Sequence, residues 1–235
     1  MILSPHLDDA VLSLWHRLAA AEPVEVVNVL AGIPGPEGGS RWWDRLTGAP
    51  DSSARMRARR AEDERALALA GRQPVHLDLL EGQYREEELS AAEIAEAIAG
   101  AVPAAATLLA PAALDGHRSH RAVRDAALTL RGAGHPIVLY ADVPHATVHG
   151  WPAWVTGADD EPGRDPAGRW ADELGSAGLA LEQLRACVHV LDDAALAAKT
   201  EAVRTYRTQL PALEAGWGAT RPAVLRYEVL WPLEP

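Results

Sequence analysis

Short apolar runs, each closed by Pro, Gly or Asp and separated by stretches of helical periodicity, recur through the first 140 residues, and this alternation limits the folds open to the chain. Strands are expected at residues 1–3, 24–30, 75–80, 107–110 and 136–141. Helices are expected at 10–20, 54–70, 91–101 and 120–131, the last N-capped by Ser119. Strands that are apolar on both faces need helices on both sides. The expected fold is therefore α/β and Rossmann-like: a mainly parallel sheet flanked by helices, with its ligand site at the carboxyl ends of the strands. A strand at 188–191, a helix at 194–209 and an extended run at 223–230 complete the chain, and one domain over residues 1–235 accommodates every element. The run at 1–3 is short for a strand, so a start upstream of Met1 is expected.

Two stretches break the alternation, about 32–53 and 142–169, rich in Gly, Pro, Trp and His. Both follow expected strands and are long for connections, so they read as binding loops or lids. Trp42, Trp43, Trp151, Trp154 and Trp170 lie in or beside them, suited equally to stacking on a sugar and to packing on the domain. His145 and His149 lie in the second loop, where surface positions are favoured over pocket positions.

With 48% hydrophobic and 23% charged residues the chain has ordinary globular usage, and its net charge of -11 argues against a nucleic-acid partner. Arg57, Arg59, Arg60 and Arg65 do cluster, but Glu62, Asp63 and Glu64 sit among them at helical spacing, so a solvated, ion-paired helix face is the favoured reading for most of that run. Cys187 is the only cysteine, which excludes an intrachain disulfide and a cysteine-ligated metal. With neither a signal-peptide layout nor an apolar run of about 18 residues, the expected location is the cytoplasm.

Chemistry concentrates in Ser4-Pro5-His6-Leu7-Asp8-Asp9, between the first strand and the first helix. One imidazole and two carboxylates within four residues can supply two metal ligands and a spare carboxylate; a helix N-terminus capped by Asp8 or Asp9 accounts for the same residues equally well. A second cluster, Asp115-Gly116-His117-Arg118-Ser119-His120, also joins a strand to a helix. Two such turns at one sheet edge can meet. A hydrolytic zinc site needs three N or O ligands and an open position, which His6, Asp9 and His120 would provide, leaving Asp8 and His117 for proton transfer.

The Pro-His-x-Asp-Asp turn at 5–9 and the His-x-x-His at 117–120 resemble the PIG-L or LmbE-like deacetylases, which remove acetyl from N-acetylglucosaminyl groups on phosphatidylinositol, mycothiol precursors and some glycopeptide antibiotics. The resemblance is closest over residues 1–145. It implies a single Zn²⁺ per chain on His6, Asp9 and His120, Asp8 as general base, and His117 as the group that polarises the carbonyl or acts as acid. It further implies a small N-acetylated glycoside or conjugate as substrate, with Arg59, three residues before Glu62, binding it. Weaker likenesses to a bacterial branch of that family lie at residues 83–85 and 140–144 and at Lys199, Tyr206 and Gln209. Two departures stand out: Ala10 replaces an acidic residue common after the two aspartates, and Ser119 replaces an aspartate that orients the catalytic histidine in many members. Two other readings remain. A metal-dependent glycosyltransferase would use Asp8-Asp9 or Asp192-Asp193, and a ligand-binding member would keep the metal without turnover. The oligomeric state is left open.

Overall fold

The computed structural model describes residues 1–35, 39–160 and 162–234. Seven strands form one sheet: β1 (Ile2–Ser4), β2 (Val26–Asn28), β3 (Pro74–His76), β4 (Leu108–Pro111), β5 (Ile137–Tyr140), β6 (Cys187–Val190) and β7 (Tyr227–Pro232). Their order is β3-β2-β1-β4-β5-β7-β6. The first five are parallel, as expected, and β7 and β6 add an antiparallel edge. Strand order reverses between β1 and β4, so the chain leaves the sheet in opposite directions on either side of that pair and opens a crevice at their carboxyl ends.

The helices among the described residues are α1 (Asp9–Ser13), α2 (Trp15–Leu18), α3 (Trp42–Leu46), α4 (Ser52–Ala68), α5 (Ala91–Ala101), α6 (Arg118–Gly132), α7 (Ala153–Thr156), α8 (Pro166–Gly175), α9 (Asp193–Val203), α10 (Leu210–Trp217) and α11 (Pro222–Leu225). One face of the sheet is covered by α5 and α6, whose Ile94, Ile98, Val123 and Leu130 pack on Leu3, Val27 and Leu139. The other is covered by α1, α2 and α9, through Val11, Leu14, Leu18, Leu196 and Val203. Among the described residues no helix is long and apolar enough to cross a membrane.

Several boundaries differ from the sequence reading, each for an identifiable reason. The helix expected at 10–20 is broken at Leu14, because the N–H groups of Trp15 and His16 turn onto the carboxylate of Glu228 on β7 at 2.8 and 3.0 Å. The helix expected at 194–209 stops at Val203; Pro211 at the start of α10 cannot continue it, and Thr208 N–H instead meets Glu62. The extended run expected at 223–230 opens as the turn α11 and becomes strand only at Tyr227. Ser119 is not the cap of α6, since the helix starts a residue earlier and His117 occupies the N-cap position. Both loops expected to be irregular contain short helices, α3 in the first and α7 in the second.

The acidic and basic run on α4 divides: Arg57, Glu64 and Arg65 are exposed, as expected for most of it, but Arg59, Glu62 and Asp63 face inward. Arg55, Arg59, Glu62 and Asp63 are buried, and the two carboxylates bond inward. Asp63 accepts from Asn28 Nδ2 at 2.6 Å and Tyr206 Oη at 2.8 Å, and Glu62 accepts from Thr208 Oγ1 at 2.7 Å. These bonds tie α4 to β2 and to the turn before α10.

Glu228 and Lys199 form a second buried tie, Nζ to Oε1 at 2.7 Å, with no solvent exposure at either residue. Burial raises the glutamate, but Lys199 and His16 outweigh it and hold the carboxyl below its ordinary range. Removing one partner of such a pair leaves an uncompensated buried charge. Glu228→Ala should therefore lower stability by about 3–5 kcal/mol. The urea midpoint should fall with little change in slope.

Candidate metal centre and active site

The turn after β1 is shaped by its own polar groups. Ser4 Oγ donates to His6 O at 2.6 Å and accepts from Ala10 N–H at 3.1 Å, while His6 N–H donates to Asp9 Oδ2 at 2.8 Å. Asp8 occupies the N-cap position of α1 without a side-chain capping bond, and Asp9 turns back toward His6. The capping reading of these aspartates therefore does not hold. The turn aims His6 and Asp9 at one point, and the first turn of α6 brings His120 to it.

Three atoms converge there. His6 Nδ1 lies 3.3 Å from Asp9 Oδ2, His120 Nε2 lies 3.4 Å from the same oxygen, and the two nitrogens are 3.3 Å apart. Ligands about 2.0–2.2 Å from a tetrahedral zinc are spaced roughly 3.3–3.6 Å from one another, so the triangle fits one face of such a site and leaves a fourth corner open. His6, His117 and His120 also offer nitrogens within 4.8 Å of one another and could hold a metal ion. That set is looser, and the triangle containing Asp9 matches tetrahedral spacing more closely.

Asp142, at the carboxyl end of β5, accepts from His120 Nδ1 at 2.7 Å; both residues are fully buried. This bond presents Nε2 to the triangle. Burial pushes the His120 imidazole down, but Asp9 and Asp142 outweigh it and raise it well above its ordinary value. Burial pushes Asp9 up, yet His120 and His6 hold it well below the usual carboxylate range. Asp8 is raised instead, by burial and by Asp9, with Arg59 opposing.

His6 and Asp9 line a cavity of about 360 Å³, with Asp8, Arg59 and His117 also on its wall. His117 Nδ1 is buried without a hydrogen-bond partner among the described residues. Burial, with His6, His120 and His145 nearby, lowers the His117 imidazole to about 3, so it stands neutral. Arg59 is buried beside Asp8 and Glu81, which hold its charge in place, and its Nε likewise lacks a partner. Of the tryptophans, Trp42 and Trp43 line the cavity, with Trp43 Nε1 donating to Gln209 Oε1 at 2.7 Å. Trp151, Trp154 and Trp170 form an edge-packed cluster with Trp231 elsewhere, and His149 lines a separate cleft. Asp192 caps α9 and Asp193 pairs with Arg226, so both carboxylates of the second pair offered for a glycosyltransferase have local partners.

The sequence reading missed three contributors. Asp142 follows a strand, the same signal that marked His6. His145 stands in the cavity, contrary to the favoured surface placement, and Trp217 packs on it with ring centroids 5.3 Å apart. Trp217 carries no local signal, because it closes the cavity only through tertiary packing of α10.

Residues 1–130 match the family model PIG-L, GlcNAc-PI de-N-acetylase, and the chain belongs to that family. The crystal structure of A40926 pseudoaglycone deacetylase Dbv21 is similar, with 28% identity, 98% of this chain and 95% of that chain covered, and a TM-score of 0.71. A deacetylase complex from the teicoplanin biosynthesis pathway matches at 26% identity over 98% and 96% of the two chains, with a TM-score of 0.72. The zinc-inhibited form of teicoplanin deacetylase Orf2 matches at 25% identity over 98% and 96%, with a TM-score of 0.71. No curated protein matches the sequence.

Two outcomes follow from the His120–Asp142 pair. Asp142→Asn retains an acceptor for Leu114 N–H but can face His120 with an amide donor, and should weaken metal affinity roughly 10- to 100-fold in chelator competition. Because Asp9 and Asp142 favour the protonated imidazole, and Nε2 must lose its proton to ligate, metal affinity should rise with pH. Calorimetry in buffers of different ionisation heat should show proton release on metal uptake.

Proposed function

We propose that this PIG-L family chain hydrolyses the N-acetyl amide of an amino sugar on a small-molecule conjugate, using one zinc ion per chain held by His6, Asp9 and His120. The triangle of ligand atoms at 3.3–3.4 Å carries the proposal. The deacetylases that match nearly the full chain support the reaction class, and the acidic balance and lone Cys187 fit a small-molecule enzyme of the cytoplasm.

When bound, the ion supplies Lewis acidity toward water and the amide carbonyl. Asp8, on the cavity wall beside the ligand set, takes a proton from the attacking water. His117 is neutral and points at the same space, so it stabilises the developing oxyanion through a hydrogen bond and adds no standing positive charge. Arg59 offers buried guanidinium donors to a polar oxygen of the substrate. Trp43 and Trp217 wall the cavity and limit water around the reacting groups. Water adds to the carbonyl carbon, Asp8 passes the proton it took to the amide nitrogen, the C–N bond breaks, and acetic acid and the amine leave, exchanging the acid proton to become acetate and ammonium.

The two aspartates separate the assigned roles. Asp9→Ala should lose metal and activity together. Asp8→Ala should keep zinc by elemental analysis while acetate release falls roughly 10²- to 10⁴-fold, mainly in kcat. Retention of full activity by Asp8→Ala, or zinc loss from Asp8→Ala but not from Asp9→Ala, overturns the assignment. Acetate release across N-acetylglucosaminides, mycothiol-type conjugates and glycopeptide pseudoaglycones identifies the substrate class.

A further inference from the structure

An acetamide presents an acceptor oxygen and a donor N–H on either side of one carbon, so a site that holds it needs a donor for the first and an acceptor for the second. The donor side is accounted for above. Most acceptors around the cavity already have partners. Gln83 Oε1 receives Trp43 N–H at 3.2 Å, Glu81 Oε2 receives Gln83 Nε2 at 2.8 Å, and Gln209 Oε1 receives Trp43 Nε1. Asp8 is assigned to the attacking water.

Glu81 Oε1 faces His6 Nε2 at 3.8 Å, and His145 offers a further acceptor on the cavity wall. Its Nδ1 is hydrogen-bonded to Asp115 Oδ2, and Asp115 Oδ1 accepts His117 N–H at 2.9 Å. Burial raises the Asp115 carboxyl, but His145 and the backbone N–H outweigh it and hold it below its ordinary range, so it is ionised. A carboxylate accepts from the ring nitrogen it faces, which places a proton on Nδ1 and leaves Nε2 at the opposite edge of the ring. Among the described residues that Nε2 has no hydrogen-bond partner, and the ring lines the cavity with its centroid 4.8 Å from that of His120 and 5.1 Å from that of His117. The backbone is fixed as well, since Ala146 N–H bonds Asp142 O at 2.8 Å and Trp170 Nε1 bonds Ala146 O at 3.0 Å. We propose that His145 Nε2 accepts the hydrogen bond of the scissile amide N–H, with Asp115 as the positioning residue that fixes its tautomer. The inference rests on the deacetylase reading and adds a basis for choosing amides over esters.

The test compares an N-acetyl substrate with its O-acetyl counterpart on the same scaffold, because the ester lacks the N–H. His145→Phe should lower kcat/KM for the amide by roughly 5- to 100-fold and leave the ester within about threefold, with zinc content unchanged. His145→Gln, whose carbonyl can accept, should recover part of the amide loss. Asp115→Asn should erode the same amide preference. Dissociation constants of both compounds in an Asp8→Ala background give the comparison without turnover, and there His145→Phe should weaken amide binding selectively. Equal losses for amide and ester, or a Gln variant no better than Phe, overturn the proposal. A wild-type chain that releases no acetate from any N-acetyl glycoside overturns the function itself, a result distinct from any variant's.

Discussion

Two imidazole nitrogens and one carboxylate oxygen are held 3.3–3.4 Å apart, and much of the surrounding structure serves to keep them there. Burying such groups is costly unless each remaining polar atom is satisfied. Ser4 bridges the turn, His6 N–H binds the ligand oxygen of Asp9, and Asp142 takes the far nitrogen of His120. Even the break at Leu14 belongs to this set of constraints. Because Glu228 gathers the N–H groups that follow α1, the short helix that begins at Asp9 is anchored to β7 at its other end. The sheet positions the turns, and these bonds fix their side chains.

Adjacent residues in this turn acquire opposite electrostatic characters. Burial raises both; at Asp9 two imidazoles outweigh it and pull the group down, whereas at Asp8 the charge of Asp9 adds to it, with Arg59 limiting the shift. Groups of one type whose environments drive their proton affinities apart are suited to different tasks, here those of the proposed metal ligand and proton acceptor. A chain of net charge -11 thus builds its site from four histidines and an arginine, placing local positive and neutral donors where an acyl oxygen would develop charge.

The parallel part of the sheet and the His6–Asp9 turn were legible because both rest on local signals: apolar runs that end in Pro, Gly or Asp, and ligand types packed within four residues. What stayed hidden depends on contacts distant in sequence. Glu228 interrupts a helix 212 residues away, and Asp63 is buried because Tyr206, 143 residues on, bonds it. Helical charge spacing marked the exposed Arg57, Glu64 and Arg65 of α4 but could not single out Arg59, Glu62 and Asp63 as buried. The antiparallel strands β7 and β6 were visible as extended runs, but their direction is set by pairing, which local sequence does not encode.

The serine at 119 shows how a local departure can be read once the neighbours are in place. Without an aspartate there, His117 Nδ1 lacks a hydrogen-bond partner among the described residues, whereas Nδ1 of His120 and of His145 each meets a carboxylate, Asp142 and Asp115. Burial first, and then the three neighbouring imidazoles, make it hard for His117 to hold a proton, and it falls to about 3. A neutral ring stabilises an oxyanion by a hydrogen bond alone. In the proposed mechanism the departure shifts the burden of charge stabilisation toward the proposed ligand set, which gives the buried Asp142 behind His120 correspondingly more weight.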